Sequence, residues 1–87
     1  MSITVEVTYD MSKVLGTPRF ELESAATVAD VVVQARERFG EAAEEFAKLS
    51  QVAAISVNGV LVNYKRGLKT ALADGDTVAF VKAAAGG

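Results

Sequence analysis

The chain opens on a strict alternation of apolar and polar side chains. The apolar positions of this segment are Ile3, Val5, Val7 and Tyr9. A period of two residues predicts a strand over 3–9 with one buried face. A second alternation, Phe20 and Leu22 around Glu21, predicts a short partner strand, with 10–18 as the connection between the two. We expect the strands to pair as an antiparallel hairpin, whose apolar face needs a further layer to cover it.

The covering layer is predicted to be a helix that begins at Thr27. The Thr27 hydroxyl and the Asp30 carboxylate have the spacing of a capping box, with Asp in the place that Glu usually takes. The apolar positions that follow have helical spacing and form one stripe, which consists of Val28, Val31, Val32, Ala35 and Phe39. Gly40 is expected to end the helix, because glycine readily adopts the left-handed conformation found there. A second, shorter helix is predicted over 41–49.

The last third of the chain returns to strand patterns separated by turns. Strands are predicted over 53–57, 60–62 and 77–81. Asn58-Gly59 predicts a tight type I′ turn between the first two strands, since both positions of that turn need a positive φ. Asp74-Gly75-Asp76 predicts a second turn. Its two carboxylates are explained by turn chemistry rather than by a metal site, because the other oxygen ligands of a Ca²⁺ site are missing.

The order of elements is therefore two strands, a helix, a short helix and three strands. This order favours an α+β architecture of the β-grasp (ubiquitin-like) type, in which one main helix packs across a mixed sheet of four or five strands. The fold requires the strand over 77–81 to lie parallel to the strand over 3–9. The β-grasp domain is predicted to span 1–81, and a flexible C-terminal tail is predicted to span 82–87.

Composition excludes several kinds of activity. The chain has 87 residues, the size of one small domain, and contains neither Cys nor His. It has no disulfide, no thiolate metal ligand and no imidazole base, so we do not expect an enzyme. The formal net charge of −2 argues against nucleic acid as a partner. The absence of a signal-peptide pattern and of a run of about 18 apolar residues predicts a cytoplasmic protein with no membrane partner.

The reactive part of the chain is predicted to be its end, Lys82-Ala83-Ala84-Ala85-Gly86-Gly87. Two glycines have no Cβ and can pass through a channel too narrow for other residues. A fully extended segment of this length reaches about 20 Å, far enough to deliver a terminal carboxylate into another protein's active site. A carboxylate must be activated before it reacts as an electrophile, and acyl-adenylation by ATP is the usual route. A frayed terminus is the alternative explanation.

Three segments near the end of the chain resemble a known family. They are Val57-Asn58-Gly59, Leu72-Ala73-Asp74-Gly75-Asp76-Thr77-Val78 and Ala84-Ala85-Gly86-Gly87. Together they are similar to the ubiquitin-like sulfur carriers, which include the small subunit of molybdopterin synthase (MoaD) and the carriers of thiamine (ThiS) and cysteine (CysO) synthesis. The resemblance is specific over 55–87 and topological over 1–50.

This resemblance implies a mechanism. An E1-like enzyme that uses ATP and Mg²⁺ would adenylate the carboxylate of Gly87, a sulfur donor would convert it to a thiocarboxylate, and a synthase would accept the sulfur. Gly87 is then the reacting site, and Gly86 provides clearance. The implied partner-binding residues are Phe80, Val81, Lys82, Ala83, Ala84 and Ala85. The chain itself is expected to bind neither a cofactor nor a metal.

The resemblance leaves the receiving pathway open. The molybdopterin carriers have an aromatic residue and two prolines where this chain has Val81-Lys82-Ala83, and the segment 67–76 is closer to the cysteine carrier. Molybdopterin synthesis, with the large subunit of its synthase as partner, is the first expectation because of its prevalence in the family. Cysteine synthesis, thiamine synthesis and tRNA thiolation are alternatives. A protein modifier joined to lysines through Gly87 and a non-catalytic β-grasp interaction domain are two further ones.

Two surface features complete the prediction. An exposed apolar sheet face beside the tail would be a partner site. Its candidate residues are Val60, Val62, Phe80 and Val81. A small basic cluster consists of Lys65, Arg66 and Lys69. This cluster is either a solvated loop or a docking patch for an acidic partner, where charge mainly raises the association rate.

Overall fold

A computed structural model describes residues 2–62 and 67–82 of the protein. In chain order, its elements are β1 (Ile3–Glu6), α1 (Tyr9–Leu15), β2 (Arg19–Leu22), α2 (Val28–Phe39), α3 (Ala42–Ser50), β3 (Ala54–Val57), β4 (Val60–Val62) and β5 (Thr77–Val81). All the predicted strands and both predicted helices are present. The helix α1 is additional.

The strands form one five-stranded sheet in the order β2-β1-β5-β3-β4. β1 pairs antiparallel with β2 and parallel with β5, and β3 pairs antiparallel with both β5 and β4. The last strand therefore lies at the centre of the sheet, parallel to the first. This mixed sheet with its helices confirms the predicted α+β fold of the β-grasp type.

The three helices cover one face of the sheet, because their buried side chains form a single apolar cluster with those of the strands. The cluster consists of Ile3, Val5, Met11, Leu15, Phe20, Leu22, Ala25, Val28, Val31, Ala35, Phe46, Ile55, Leu72, Val78 and Phe80. Within it, the ring of Phe46 on α3 meets the ring of Phe80 on β5 edge to face, with 5.3 Å between the ring centroids. This aromatic pair joins α3 to the central strand.

The segment after β1 corrects the prediction. A helix, α1, begins at Tyr9, where the end of a strand and an irregular connection were predicted. The Thr8 hydroxyl caps this helix by accepting a hydrogen bond from the Met11 N–H at 3.2 Å, and Gly16 ends it with a φ of 80°. Met11 and Leu15, four residues apart, both face the core, which leaves Tyr9 73% exposed. The prediction was wrong because Tyr9 continues the apolar–polar alternation of the preceding residues in the sequence, whereas the Thr8 cap starts a helix at Tyr9.

The main helix α2 has the predicted capping box. The Thr27 hydroxyl accepts from the Asp30 N–H at 3.4 Å, and the Asp30 carboxylate accepts from the Thr27 N–H at 3.1 Å. A later segment satisfies a further amide of the first turn, since the Ala29 N–H donates to the Leu68 carbonyl at 3.0 Å. The start of α2 is therefore held both by its own cap and by the chain that precedes β5.

The tight turn between β3 and β4 also agrees with the prediction. Asn58 has a φ of 52° and Gly59 a φ of 85°, as a type I′ turn requires. The turn fixes the register of the hairpin and places Ser56 opposite Leu61. Because opposed residues lie on the same face of a sheet, this register decides which side each residue of β4 occupies.

Candidate functional site

The central strand β5 holds the start of the predicted tail. It is hydrogen-bonded to β1 on one side and to β3 on the other. Phe80 is buried at 2% exposure, whereas Val81 is 38% exposed. Lys82 is exposed and is the last residue that the structure describes. We call Phe80, Val81 and Lys82 the tail root, because the chain passes there from the core to the surface.

The remaining site residues lie outside the described part of the chain. These residues are Ala83, Ala84, Ala85, Gly86 and Gly87. The reacting role of Gly87, the clearance at Gly86 and the predicted tail therefore stay predictions. The structure places Val81 and Lys82 at the surface. Phe80 belongs to the core, where it fixes the position of β5, and its predicted role in partner binding stays a prediction.

A patch of apolar and small side chains lies beside the tail root, on the sheet face opposite the helices. Cross-strand pairing places Ser56 between Leu61 and Ala79, and Ala54 beside Val81. Leu61 is 66% exposed and Val81 is 38% exposed. We call these five residues the outer patch. An exposed apolar area of this kind next to a reactive tail is suited to binding another protein.

The outer patch differs in its residues from the apolar face predicted from the sequence, and that prediction was wrong in part. Val62 and Phe80 both pair with Ile55, and all three side chains lie on the core side of the sheet. Val60 lies on that same side, next to the turn of the hairpin, and is 66% exposed. Leu61 is the residue that the prediction missed. The type I′ turn contained the signal, because the register that it imposes places Leu61 on the outer side.

The outer surface of the other two strands is polar. Its residues are Thr4, Glu6, Arg19 and Glu21. Glu6 pairs with Arg19 on β2 and with Ala79 on β5, so the border between the polar and apolar halves lies between β1 and β5. A partner that buries the apolar half would therefore sit on β3, β4 and β5, directly beside the tail root.

The second predicted turn closes the opposite end of the sheet. The Asp76 carboxylate accepts from the Asn58 side-chain amide at 2.9 Å and from the Ala73 N–H at 2.8 Å. The Asp74 carboxylate accepts from the Ser2 N–H at 2.6 Å. Both carboxylates thus bind the polypeptide, as turn chemistry predicts. Over residues 2–62 and 67–82, no three acidic side chains come close enough together to hold a metal ion.

Hydrogen bonds also shift the titration of this turn. The Asn58 amide, and after it the Ala73 N–H, hold the pKa of Asp76 below its ordinary value of 3.8. The folded state therefore binds this proton less readily than the unfolded chain. The stabilising contribution of Asp76 is fully present above the ordinary pKa and is lost as the pH falls through the lower, folded pKa.

We expect Asp76→Asn to lower the melting temperature at pH 7 and to make it less sensitive to acid. The difference in melting temperature between the wild-type and variant chains should shrink as the pH falls below about 4, because the unfolded wild-type chain then binds the proton first and the folded chain follows below its lower pKa. Thermal unfolding followed by circular dichroism between pH 7 and pH 2 measures this difference. Asp10→Asn, the same change of charge on α1, is the control. A difference in melting temperature that stays constant with pH would contradict the lowered pKa of Asp76.

Two further predictions concern the surface. Lys69 of the basic cluster is exposed, and Lys65 and Arg66 lie outside the described residues. The role of this cluster therefore stays a prediction. Of the helices in the described ranges, none has both the length and the apolar character needed to span a bilayer.

Three solved structures are similar to the chain over nearly its whole length. Small archaeal modifier protein 1 from Methanosarcina acetivorans is 20% identical, with a TM-score of 0.77 and coverage of 99% of this chain and 96% of that one. CysO from Mycobacterium tuberculosis is 25% identical, with a TM-score of 0.75 and coverage of 94% and 99%. The complex of subunits 1 and 2 of the molybdopterin-converting factor from Helicobacter pylori contains a chain that is 23% identical, with a TM-score of 0.66 and complete coverage of both.

Sequence comparison with families gives the assignment. No protein with a curated description matches the chain at a significant level. The model of the ThiS family, in contrast, matches residues 11–87, which include all the described elements from β2 to β5 and the tail. The similar structures agree in fold with this match. The chain belongs to the ThiS family and has the β-grasp fold of the ubiquitin-like sulfur carriers and modifiers.

Proposed function

We propose that this protein is a sulfur carrier whose reactive group is the carboxylate of Gly87. The match to the ThiS family over residues 11–87 is the observation that carries this proposal. The tail root supports it, because β5 leads from the centre of the sheet straight into the segment that ends in Gly86 and Gly87. A tail anchored in this way can enter a partner while the domain stays folded.

The proposed chemistry has two steps, and partner enzymes supply the catalytic groups for both. A carboxylate oxygen of Gly87 attacks the α-phosphorus of ATP, and pyrophosphate leaves. Hydrosulfide from the sulfur donor then attacks the acyl carbon, AMP leaves and the S–H proton is released, so that the carboxylate becomes a thiocarboxylate. The chain acts as a co-substrate and not as an enzyme. It contains neither Cys nor His, so neither a thiol nor an imidazole of its own would intercept the activated group.

Two parts of the chain are proposed to bind partners. The segment from Val81 to Ala85 enters the partner's channel, and Gly86 supplies the clearance near the reacting carbon. The outer patch, with Leu61 at its centre, seats the body of the domain against the partner. Phe80 contributes from the core by holding β5 in place. The docking area is thus continuous with the tail that it positions.

The proposed partners are an E1-like adenylating enzyme, which uses ATP and Mg²⁺, and a synthase that accepts the sulfur. We propose molybdopterin synthesis as the receiving pathway, in a cytoplasmic setting. The similarity to a chain in the two-subunit molybdopterin-converting factor supports this choice. Cysteine synthesis is the first alternative, since the CysO structure is also similar in fold, with a TM-score of 0.75 against 0.66 for the molybdopterin-converting factor chain. Thiamine synthesis and tRNA thiolation are further alternatives.

A second candidate function is protein modification through Gly87. The similarity to small archaeal modifier protein 1 favours it, and activation by adenylation would be the same. The activated carbon would then be attacked by a lysine amine rather than by sulfur. Protein conjugates that survive denaturing electrophoresis, and that disappear when Gly87 is removed, would be the evidence for this function.

Whole-protein mass spectrometry tests the carrier proposal. We expect chain incubated with the adenylating enzyme, ATP and a sulfur donor to carry one sulfur in place of one oxygen, and fragmentation should locate the change at Gly87. The same mixture without ATP is the control. Only unmodified mass in the complete mixture would contradict the carrier proposal. Unmodified mass without any conjugates would favour a non-catalytic β-grasp interaction domain.

A further inference from the structure

Two neighbouring grooves meet at the tail root, on the helix side of the end of the sheet. The first has a volume of about 230 Å³ and includes Met11 and Val52 in its lining. The second has a volume of about 360 Å³ and includes Tyr9. Asp10 and Lys82 line both grooves. Together the grooves form a concave surface between the start of α1 and the end of α3, which shares only Val81 with the outer patch.

Exposed apolar side chains line both grooves. Among the described residues, the large apolar side chains that remain exposed are Tyr9, Val33, Val52, Val60, Leu61 and Val81. Tyr9 and Val52 are the most exposed of these, at 73% and 72%, and they stand on the two groove walls. Burial of such side chains against a partner would remove apolar surface from water, at about 25 cal/mol per Å².

The ring of Tyr9 is held in place although it is exposed. The Lys13 ammonium lies over it, 4.8 Å from the ring centroid. The Ser12 hydroxyl donates to the Tyr9 carbonyl at 2.6 Å, and the Thr8 cap fixes the start of the helix. A rigid exposed aromatic ring loses little conformational entropy on binding, which is why such residues often dominate the energetics of an interface.

We propose that these grooves bind the adenylating enzyme, through a segment that presents an apolar side chain beside a carboxylate. The inference rests on the proposed function. Lys82 lines both grooves, so an enzyme that draws the tail into its active site is brought against them. The adenylating enzyme is the partner chosen, because the carrier and the modifier functions both require it.

The charges around the grooves are the reason for proposing a carboxylate on the partner's segment. Lys82 and Asp10 line both grooves and contribute one charge of each sign, and Lys13 adds a second positive charge beside them, over the Tyr9 ring that lines the second groove. The net positive rim attracts an acidic group on the partner and disfavours a basic one. The outer patch contains no charged residue. The two surfaces therefore differ in chemistry, and the grooves add a charged contact that the outer patch does not provide.

The test uses the double variant Tyr9→Ser/Val52→Ser of the full chain. Val33→Ser, which removes a 54% exposed side chain from α2, is the matched control. ATP–pyrophosphate exchange catalysed by the E1-like enzyme from the same genome measures KM and kcat for the carrier. We expect the double variant to raise KM about tenfold or more, with kcat unchanged. The control should match the wild-type chain, and melting temperatures verify that all three chains fold.

The outcomes separate this inference from the proposed function. If the folded double variant has the same KM as the Val33→Ser control while the wild-type chain supports exchange, the grooves are not the docking surface and the carrier proposal stands. If the wild-type chain supports no exchange, adenylation itself is contradicted, and the inference that rests on it is overturned as well.

Discussion

Removal of Gly86 and Gly87 is expected to abolish thiocarboxylate formation completely and to leave the melting temperature unchanged. The shortened chain would end at Ala85, with its carboxylate about 7 Å nearer the domain, too far back to reach a reaction centre set for the full tail. Stability should not change, because no residue of the described core lies beyond Phe80. Mass spectrometry of the product and thermal unfolding measure the two effects separately.

The variant Gly86→Ala is the matched control for this deletion, because it keeps the length of the tail and adds only one methyl group. We expect it to slow thiocarboxylate formation without abolishing it, if clearance near Gly87 matters in the way proposed. An undiminished rate in the deletion variant would contradict the assignment of Gly87 as the reacting residue. A large fall in melting temperature after deletion would mean that the tail packs on the domain and contributes to its stability.

Phe46→Ala is expected to have the largest effect on stability. Its ring is fully buried and packs edge to face on Phe80, so the change removes apolar burial and leaves a cavity. Such changes cost about 3–5 kcal/mol. A domain of 87 residues is expected to have a total stability of roughly 4–13 kcal/mol. The variant should therefore be strongly destabilised, and urea unfolding measures the loss.

Phe46→Leu is the control for this prediction, because leucine refills much of the space and should cost less than about 1.5 kcal/mol. Equal destabilisation by the two variants would mean that the aromatic contact, rather than the cavity, determines the loss. The Phe46→Ala result also bears on function. Phe80 is the buried part of the tail root, so loss of its aromatic neighbour loosens the strand that positions the tail.

Local patterns in the sequence predicted most of the fold correctly. Thr27 and Asp30 predicted the start of α2, and Asn58-Gly59 predicted the hairpin turn with its positive φ angles. These predictions succeeded because a cap or a tight turn depends on residues only a few positions apart. The helix α1 was missed because two local patterns conflict where it begins. The alternation that ends in Tyr9 and the Thr8 cap make competing local predictions, and burial of Met11 and Leu15 decides between them.

For the candidate site too, some features could be predicted from the sequence and others needed the structure. The reach of the diglycine tail, from chain length, and the need for an activating partner, from the low reactivity of a carboxylate, stay predictions of the sequence alone. The sequence also predicted Val81 and Lys82 as surface residues of the tail root. It assigned Phe80 and Val62 to the surface of the sheet, where the structure has them on the core side, and it omitted Leu61.

What the sequence determined by itself was therefore the five strands and the two helices α2 and α3, because caps, turns and alternation are properties of neighbouring residues. The chemistry of the chain's end stays a prediction from the same kind of local pattern. The tertiary structure alone decided which face of β4 and β5 is exposed, and which distant residues surround Lys82. Alternation shows that a strand has two faces, but only pairing with other strands and contact with the helices show which one is buried. Tyr9 lines one of the two neighbouring grooves and Val52 the other, although they lie 43 positions apart in the sequence, because α1 and α3 pack against each other.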